Sequence, residues 1–440
     1  AAAAHTIGYV GRVSRKDLDR SDADSLLRMP DFRIGKTGVE RTQDEALRGA
    51  AGTRLVEVTS TGRQRRELGR REGLSGETLR LTLDAGLQTF AAGLFGPETG
   101  AAVLIDVESG GLLAMASSPS FDPGAFHDGI ADRSEWQALA SHPLHPLSNR
   151  VVSGQYAPGS TFKVVVALAA LEAKVVSREH RFFCNGVHEL GTGKFHCWRR
   201  GGHGHMDLFQ ALQQSCDVYF YEIAQRTGID RIAAMARKLG FGEPTGVEIP
   251  GERGGLIPTK AWKQDVRNES WQAGETLIAG IGQGYVLATP LQLATMTARL
   301  ANGRHAVLPR LLARETVPEL GIDKRHLQAV RAGLAAVTGS RRGTGWAARI
   351  QEDGFEMAGK TGTSQVRRIS TLERRLGVRK NEDLPRRERD HALFVGYAPV
   401  ERPRYAAVIV VEHGGSGSKA AAPLARDLLL AAQKSGTVAS

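Results

Sequence analysis

The chain has 440 residues, 41% hydrophobic and 24% charged, which is ample for one large core with a smaller appendage and argues against broad disorder. Its net charge of +11 attracts anionic surfaces. No nucleic-acid recognition fold, finger or aromatic-basic platform accompanies that charge, so anionic headgroups or polymers are the expected partners rather than nucleic acid.

In chain order, residues 1–78 are polar, arginine-rich and broken by glycine, with a strand-like Arg54-Leu55-Val56-Glu57-Val58. They contain Ile34-Gly35-Lys36-Thr37-Gly38. Residues 79–440 form the second region. A helix is expected over Leu87 to Leu94. Ala101–Asp106 and Leu112–Ala116 flank Ser109-Gly110-Gly111, the pattern of a hairpin. The run Val164 to Leu171 is apolar on every side and predicts a buried helix. Helical patterns follow near 206–226, 230–239, 290–302 and 325–337. Strands are expected over His391–Tyr397 and Tyr405–Val411, then a closing helix from about Lys419 to Gln433. No stretch approaches the roughly 20 apolar residues that cross a bilayer. The layout predicts an α+β chain in which an antiparallel sheet faces an all-helical lobe across a cleft.

Three short strings carry chemistry: Ser160-Thr161-Phe162-Lys163, Ser215-Cys216-Asp217 and Lys360-Thr361-Gly362-Thr363. Serine is a poor nucleophile until a base takes its proton. Ser160 and Lys163 are three apart, so a helix beginning at Ser160 or Thr161 puts them on one face. Burial in that helix lowers an ammonium pKa, so neutral Lys163 is expected to deprotonate Ser160. Taken alone, the pair also reads as a helix-capping serine with a lysine that reaches solvent. Ser215 and Asp217 alternate with Cys216 and are expected to face one way on an extended turn, with Cys216 facing the other. Glycine at 362 lets an extended substrate approach the strand backbone.

The string Gly354 to Thr361 also satisfies the P-loop pattern G-x-x-x-x-G-K-T. A true P-loop follows an apolar strand and opens a helix. Here Arg349–Asp353 is polar, and Gly362-Thr363-Ser364-Gln365-Val366 favours a strand, so nucleotide binding is the weaker reading. Arg367 to Asp390 holds nine Lys/Arg against five Asp/Glu and reads as a solvated loop or a polymer-contacting flap.

The only cysteines are Cys184, Cys197 and Cys216, and His203 completes the spacing C-x12-C-x5-H-x12-C. Three thiolates and an imidazole make a closed tetrahedral zinc set, structural rather than catalytic. His205, His196 or His188 could replace His203. A Cys184–Cys197 disulfide, or inert buried thiols, are the competing expectations.

The three strings in this order resemble those of penicillin-binding proteins and serine β-lactamases. Gly154-Gln155-Tyr156-Ala157-Pro158-Gly159 ahead of Ser160, Ile281-Gly282-Gln283-Gly284-Tyr285 and Asp390-His391-Ala392-Leu393-Phe394-Val395-Gly396-Tyr397 look like the transpeptidase domain of class B penicillin-binding proteins. The S-x-D middle string resembles the elongation-specific members. The resemblance implies the penicillin-binding-protein/β-lactamase-like fold, with residues 1–78 a truncated, β-rich pedestal. It implies D,D-transpeptidase activity, with no cofactor for catalysis. Ser160 would be acylated by a peptidoglycan stem peptide ending in D-Ala-D-Ala, or by a β-lactam antibiotic, and a neighbouring stem peptide would supply the acceptor amine.

By the same resemblance Ser215 relays a proton to the leaving amine and Asp217 helps hold the substrate's peptide backbone. Lys360, Thr361 and Thr363 bind its terminal carboxylate, and the oxyanion hole comes from the N–H groups of Ser160 and Thr363. Implied partners are the lipid-linked nascent glycan, a RodA-type glycosyltransferase and an MreC-type scaffold. The implied location is the periplasmic face of the inner membrane. A membrane anchor and more pedestal are expected ahead of Ala1-Ala2-Ala3-Ala4. A β-lactamase or carboxypeptidase, or a penicillin-sensing receptor domain, would use the same serine.

Overall fold

A computed structural model describes the chain apart from residues 20–24, 127–132, 313–316, 368–372, 374–376 and 439–440. At its centre is a five-stranded antiparallel sheet. In chain order its strands are β1 Gly100–Asp106, β2 Leu112–Ser118, β3 Ala358–Ser364, β4 His391–Ala398 and β5 Tyr405–Val411. Their spatial order is β3-β4-β5-β1-β2. The expected hairpin is β1–β2. β5 is apolar along its whole length because both faces of the sheet are covered. One face packs against helices Ala85–Gly93 and Ala422–Val438, and the other joins the larger core of the helical lobe.

β3 lies at the sheet edge, in register with β4 from Ala358↔Tyr397 to Ser364↔His391. The polar string Lys360-Thr361-Gly362-Thr363 is therefore laddered on one side only, and its other side lies against the turn that carries Ser160. The polar Gly354–Thr361 segment runs into a strand, not a helix, and the P-loop reading falls with it.

The helical lobe is built round Lys163–Glu172, in which every residue from Lys163 to Leu171 is buried. Helices Asp217–Thr227, Ile229–Lys238 and Lys324–Gly339 pack on it. The pattern near 206–226 is not one helix. Leu208–Gln213 ends, Ser215 adopts a left-handed backbone with φ 56°, and a second helix starts at Asp217. Leu208–Gln213 opens with a capping box from Asp207 and Gln210. Apolar periodicity persists through such a break, because both helices bury the same side.

Two pairs of short strands precede this break in the chain. Phe182–Cys184 pairs with Gly204–Met206, and Val187–Leu190 pairs with Gly193–His196. Near the N-terminus, Thr53–Val58 pairs with Gln64–Arg71 in an exposed ribbon. Lys36 of the early K-T-G string lies 2.6 Å from Asp17, a pairing far in sequence from the Ser160 region. No helix among the described residues is long and apolar enough to cross a membrane.

Candidate active site

Ser160 sits in a 3-10 turn, Gly159–Phe162, that runs directly into helix Lys163–Glu172. Gly159 has φ 55°, and a Cβ there would lie 2.3 Å from the Thr363 carbonyl oxygen, so only glycine allows the turn to reach β3. Gly282, with φ 70°, plays the same part behind it. Its carbonyl accepts the Gly159 N–H at 2.9 Å, and a Cβ there would lie 2.2 Å from the Gly159 oxygen. Gln283 donates its Nε2 to Thr363 O at 3.0 Å and fastens this loop to the strand. Between the lobes lies a cleft of about 860 Å³, lined by Ser160, Ser215, Asp217, Thr361, Thr363 and Trp198 among others. The Ser160 hydroxyl makes no hydrogen bond among the described residues.

Two lysines that are both 0% exposed converge behind that serine. Lys163 Nζ donates to Asp217 Oδ1 at 2.7 Å, to Ser215 O at 3.0 Å and to Ser215 Oγ at 3.1 Å. Lys360 Nζ lies 2.8 Å from the same Ser215 Oγ and donates to Thr361 O at 3.2 Å. The Ser215 hydroxyl thus joins the two amines. Among the described residues only one carboxylate touches the pair, and it touches Lys163. Burial first, and the charge of Lys163 second, push the Lys360 ammonium well below its usual range. Lys163 is thus paired with a buried carboxylate, whereas burial favours the neutral amine at Lys360.

The sequence expectation for Lys163 left out Asp217, whose pairing with it cannot be read from spacing. Asp217 is itself buried, and its Oδ2 accepts the Trp198 N–H at 2.8 Å. Each carboxylate oxygen already accepts one hydrogen bond from within the protein, and Asp217 also lines the cleft. Lys360 is likewise enclosed, which leaves Thr361, Gly362 and Thr363 as the residues of its string that line the cleft.

Thr344 was not singled out from the sequence; its hydroxyl lies 2.7 Å from that of Thr361. Trp198 was also missed, as a single aromatic in a glycine- and arginine-rich stretch carries no periodic signal. Gln283 lay in plain view within Ile281–Tyr285, but its tie to Thr363 needs the fold.

The sulfurs of Cys184, Cys197 and Cys216 and the His203 ring nitrogen lie within 4.8 Å of one another. His203 Nδ1 is 3.7 Å from Cys184 Sγ and 3.5 Å from Cys197 Sγ. Zinc bonds of 2.0–2.3 Å give tetrahedral edges of roughly 3.3–3.8 Å, so the set fits that ion. All three cysteines are buried free thiols, and no disulfide joins Cys184 to Cys197. A hydrogen bond from Cys216 holds the Cys197 thiol far below its usual range. His188 turns away to Glu222 and Gln225, and His205 stacks near Phe183. Cys216 is the residue capping helix Asp217–Thr227, which puts the cluster directly behind the Ser215–Asp217 turn.

Residues 100–430 match the penicillin binding protein transpeptidase domain, and residues 1–81 match the penicillin-binding protein dimerisation domain. The chain is 38% identical to the peptidoglycan D,D-transpeptidase MrdA of Acinetobacter baumannii, across 98% of this chain and 65% of that protein. It is 35% identical to MrdA of Haemophilus influenzae, across 97% of this chain and 67% of the relative. The chain thus spans about two thirds of the length of these relatives. Among solved structures, PBP2 from Helicobacter pylori in complex with MreC superposes with a TM-score of 0.90 at 33% identity, covering 99% of this chain and 78% of that one. Pseudomonas aeruginosa PBP2 in complex with WCK 5153 gives 0.84 at 36% identity, covering 98% and 88%.

Replacing Asp217 tests the electrostatics. Asp217→Ala leaves a buried ammonium without its counter-charge, and urea unfolding is expected to show a loss of roughly 3–5 kcal/mol. A variant as stable as the parent would remove the ion pair from the account.

Proposed function

This chain belongs to the penicillin-binding protein transpeptidase family, and on that footing we propose that it is a serine-type peptidoglycan D,D-transpeptidase acting in cell-wall elongation. The observation that carries the reading is the meeting of Ser160, Lys163, Ser215 and Lys360 around one cleft. A stem peptide ending in D-Ala-D-Ala enters along β3, with its terminal carboxylate on Thr361 and Thr363. That anion raises the proton affinity of the neutral Lys360 amine behind them. Lys163 then passes a proton to the Ser215 oxygen as the Ser215 hydroxyl proton moves to Lys360, which leaves Lys163 uncharged.

The freed Lys163 amine takes the Ser160 proton as Ser160 Oγ attacks the penultimate carbonyl. The oxyanion forms against the N–H groups of Ser160 and Thr363. Ser215 gives its proton to the departing D-alanine amine and takes the one that Lys163 drew from Ser160, and the C–N bond breaks to leave a Ser160 ester. An amine from a second stem peptide reverses these steps and forms the crosslink. β-Lactams enter as the donor and stop at the ester.

The fit of its four ligand atoms supports a structural zinc ion on Cys184, Cys197, His203 and Cys216. It would brace the Ser215 turn from behind and take no part in the chemistry. We divide the chain at about residue 79, with a pedestal segment before it and the transpeptidase domain after it. Similarity to a solved PBP2–MreC complex and to a peptidoglycan synthase complex supports an MreC-type scaffold and a RodA-type glycosyltransferase as partners, at the periplasmic face of the inner membrane.

A fluorescent penicillin is expected to label the protein covalently and persistently, with the adduct mapping to the peptide that contains Ser160. Ser160→Ala should abolish it. A stable adduct on Ser160→Ala would sink the assignment, and rapid deacylation would reassign the protein as a hydrolase. Elemental analysis is expected to find one zinc per chain, and chelation should lower the melting temperature. Absence of zinc, with an intact mass lacking two hydrogens, would replace the ion with a disulfide.

A further inference from the structure

Trp198 stands apart from the residues assigned so far. It is 60% exposed and lines the cleft, yet three of its hydrogen bonds are made inward. Its backbone N–H donates to Asp217 Oδ2 at 2.8 Å. Its indole Nε1 donates to Ser215 O at 3.0 Å and to Gln214 O at 3.2 Å. Its ring meets the His203 ring edge-on, with centroids 5.4 Å apart.

The two acceptors that matter are the two that hold Lys163. Lys163 donates to the Ser215 carbonyl and to the Asp217 carboxylate, and Trp198 takes the same carbonyl and the other oxygen of the same carboxylate. The turn between them needs an external clamp. Ser215 is one of six non-glycine residues with positive φ among those described, a conformation that costs of the order of 1 kcal/mol or more when nothing local favours it. A carbonyl that rotates out of that conformation carries away both the lysine's anchor and the Ser215 hydroxyl.

We propose that Trp198 is a positioning residue for the acyl-transfer step. Its indole N–H fixes the Ser215 carbonyl, and so sets where the Ser215 hydroxyl and the Lys163 amine stand relative to Ser160. The inference rests on the acyl-transfer reading above. It differs from a stacking platform for substrate, which would act through the exposed ring face and govern binding. It differs also from simple packing, which would act through stability.

The test separates these with two variants and three readouts. Trp198→Phe keeps an aromatic face and the backbone N–H but removes the indole donor, whereas Trp198→Ala removes the face as well. Acylation by a chromogenic cephalosporin or fluorescent penicillin is followed at increasing concentration, so that the limiting rate constant and the half-saturation concentration are read separately. Melting temperature and metal content are measured on the same samples.

Trp198→Phe is expected to lower the limiting rate constant roughly tenfold, the effect of one lost positioning hydrogen bond, with half-saturation within about twofold and melting temperature and metal content unchanged. Replacing Trp198 by its benzothienyl isostere, in which sulfur stands for the N–H, should give the same loss. A Trp198→Phe protein with the parent's limiting rate overturns the proposal. So does a loss confined to half-saturation, or one that tracks melting temperature or metal content. If the parent protein is not acylated at all, the acyl-transfer reading fails first and this inference goes with it.

Discussion

Lys163 and Asp217 meet at 2.7 Å where almost no water reaches either of them, and the cleft is organised round that contact. Removing an ammonium from water costs several kcal/mol even after relaxation, and a close carboxylate offsets that cost only when its own oxygens are satisfied. Asp217 meets the condition by accepting from Lys163 on one oxygen and from the Trp198 N–H on the other. Among the described residues no carboxylate is hydrogen-bonded to Lys360, an equally buried lysine on the far side of Ser215, and burial drives it toward the neutral amine. One aspartate among two lysines thus gives Lys163 a counter-charge, while burial favours the uncharged form of Lys360. The Ser215 hydroxyl lies between them as the route along which that asymmetry can be exchanged.

The scaffold reads as a means of holding those groups in register. The edge strand β3 brings Lys360 and the threonines to the cleft. The helix after Ser160 buries Lys163, and a break between two helices supplies Ser215 and Asp217. Each piece is secured to another: Gly159 to Gly282, Gln283 to Thr363, Thr344 to Thr361, and the Cys/His cluster to the back of the Ser215 turn. Rigidity of this sort is what acyl transfer requires, since a displacement of about 1 Å at the reacting groups can cost a hundredfold in rate.

Much of this was legible in the sequence for identifiable reasons. The apolar runs in β1, β4, β5 and Val164–Leu171 announced strands and a helix that are buried on every side. The three short strings named Ser160, Lys163, Ser215, Asp217 and Lys360, and cysteine scarcity pointed to the cluster. What spacing could not convey was partnership. The pairing of Lys163 with Asp217 bridges 54 residues, and it gives Lys163 a buried carboxylate partner that its spacing from Ser160 does not suggest. A turn was expected at Ser215, but not that Ser215 would be left-handed and Asp217 would open a helix, because apolar periodicity carries across the break. Trp198 and Thr344 act through hydrogen bonds made by the fold, and such contacts leave no trace in a pattern of residues.

The central claim is that the Ser215 hydroxyl is the junction through which the two lysines share one proton. The rate constant for penicillin acylation of Ser215→Ala measures it most directly, with Lys163, Asp217 and Lys360 all left in place. The account requires a fall of at least about a hundredfold, the usual weight of a lost proton-transfer group, in a protein that still melts close to the parent. Acylation at the parent's rate would contradict it.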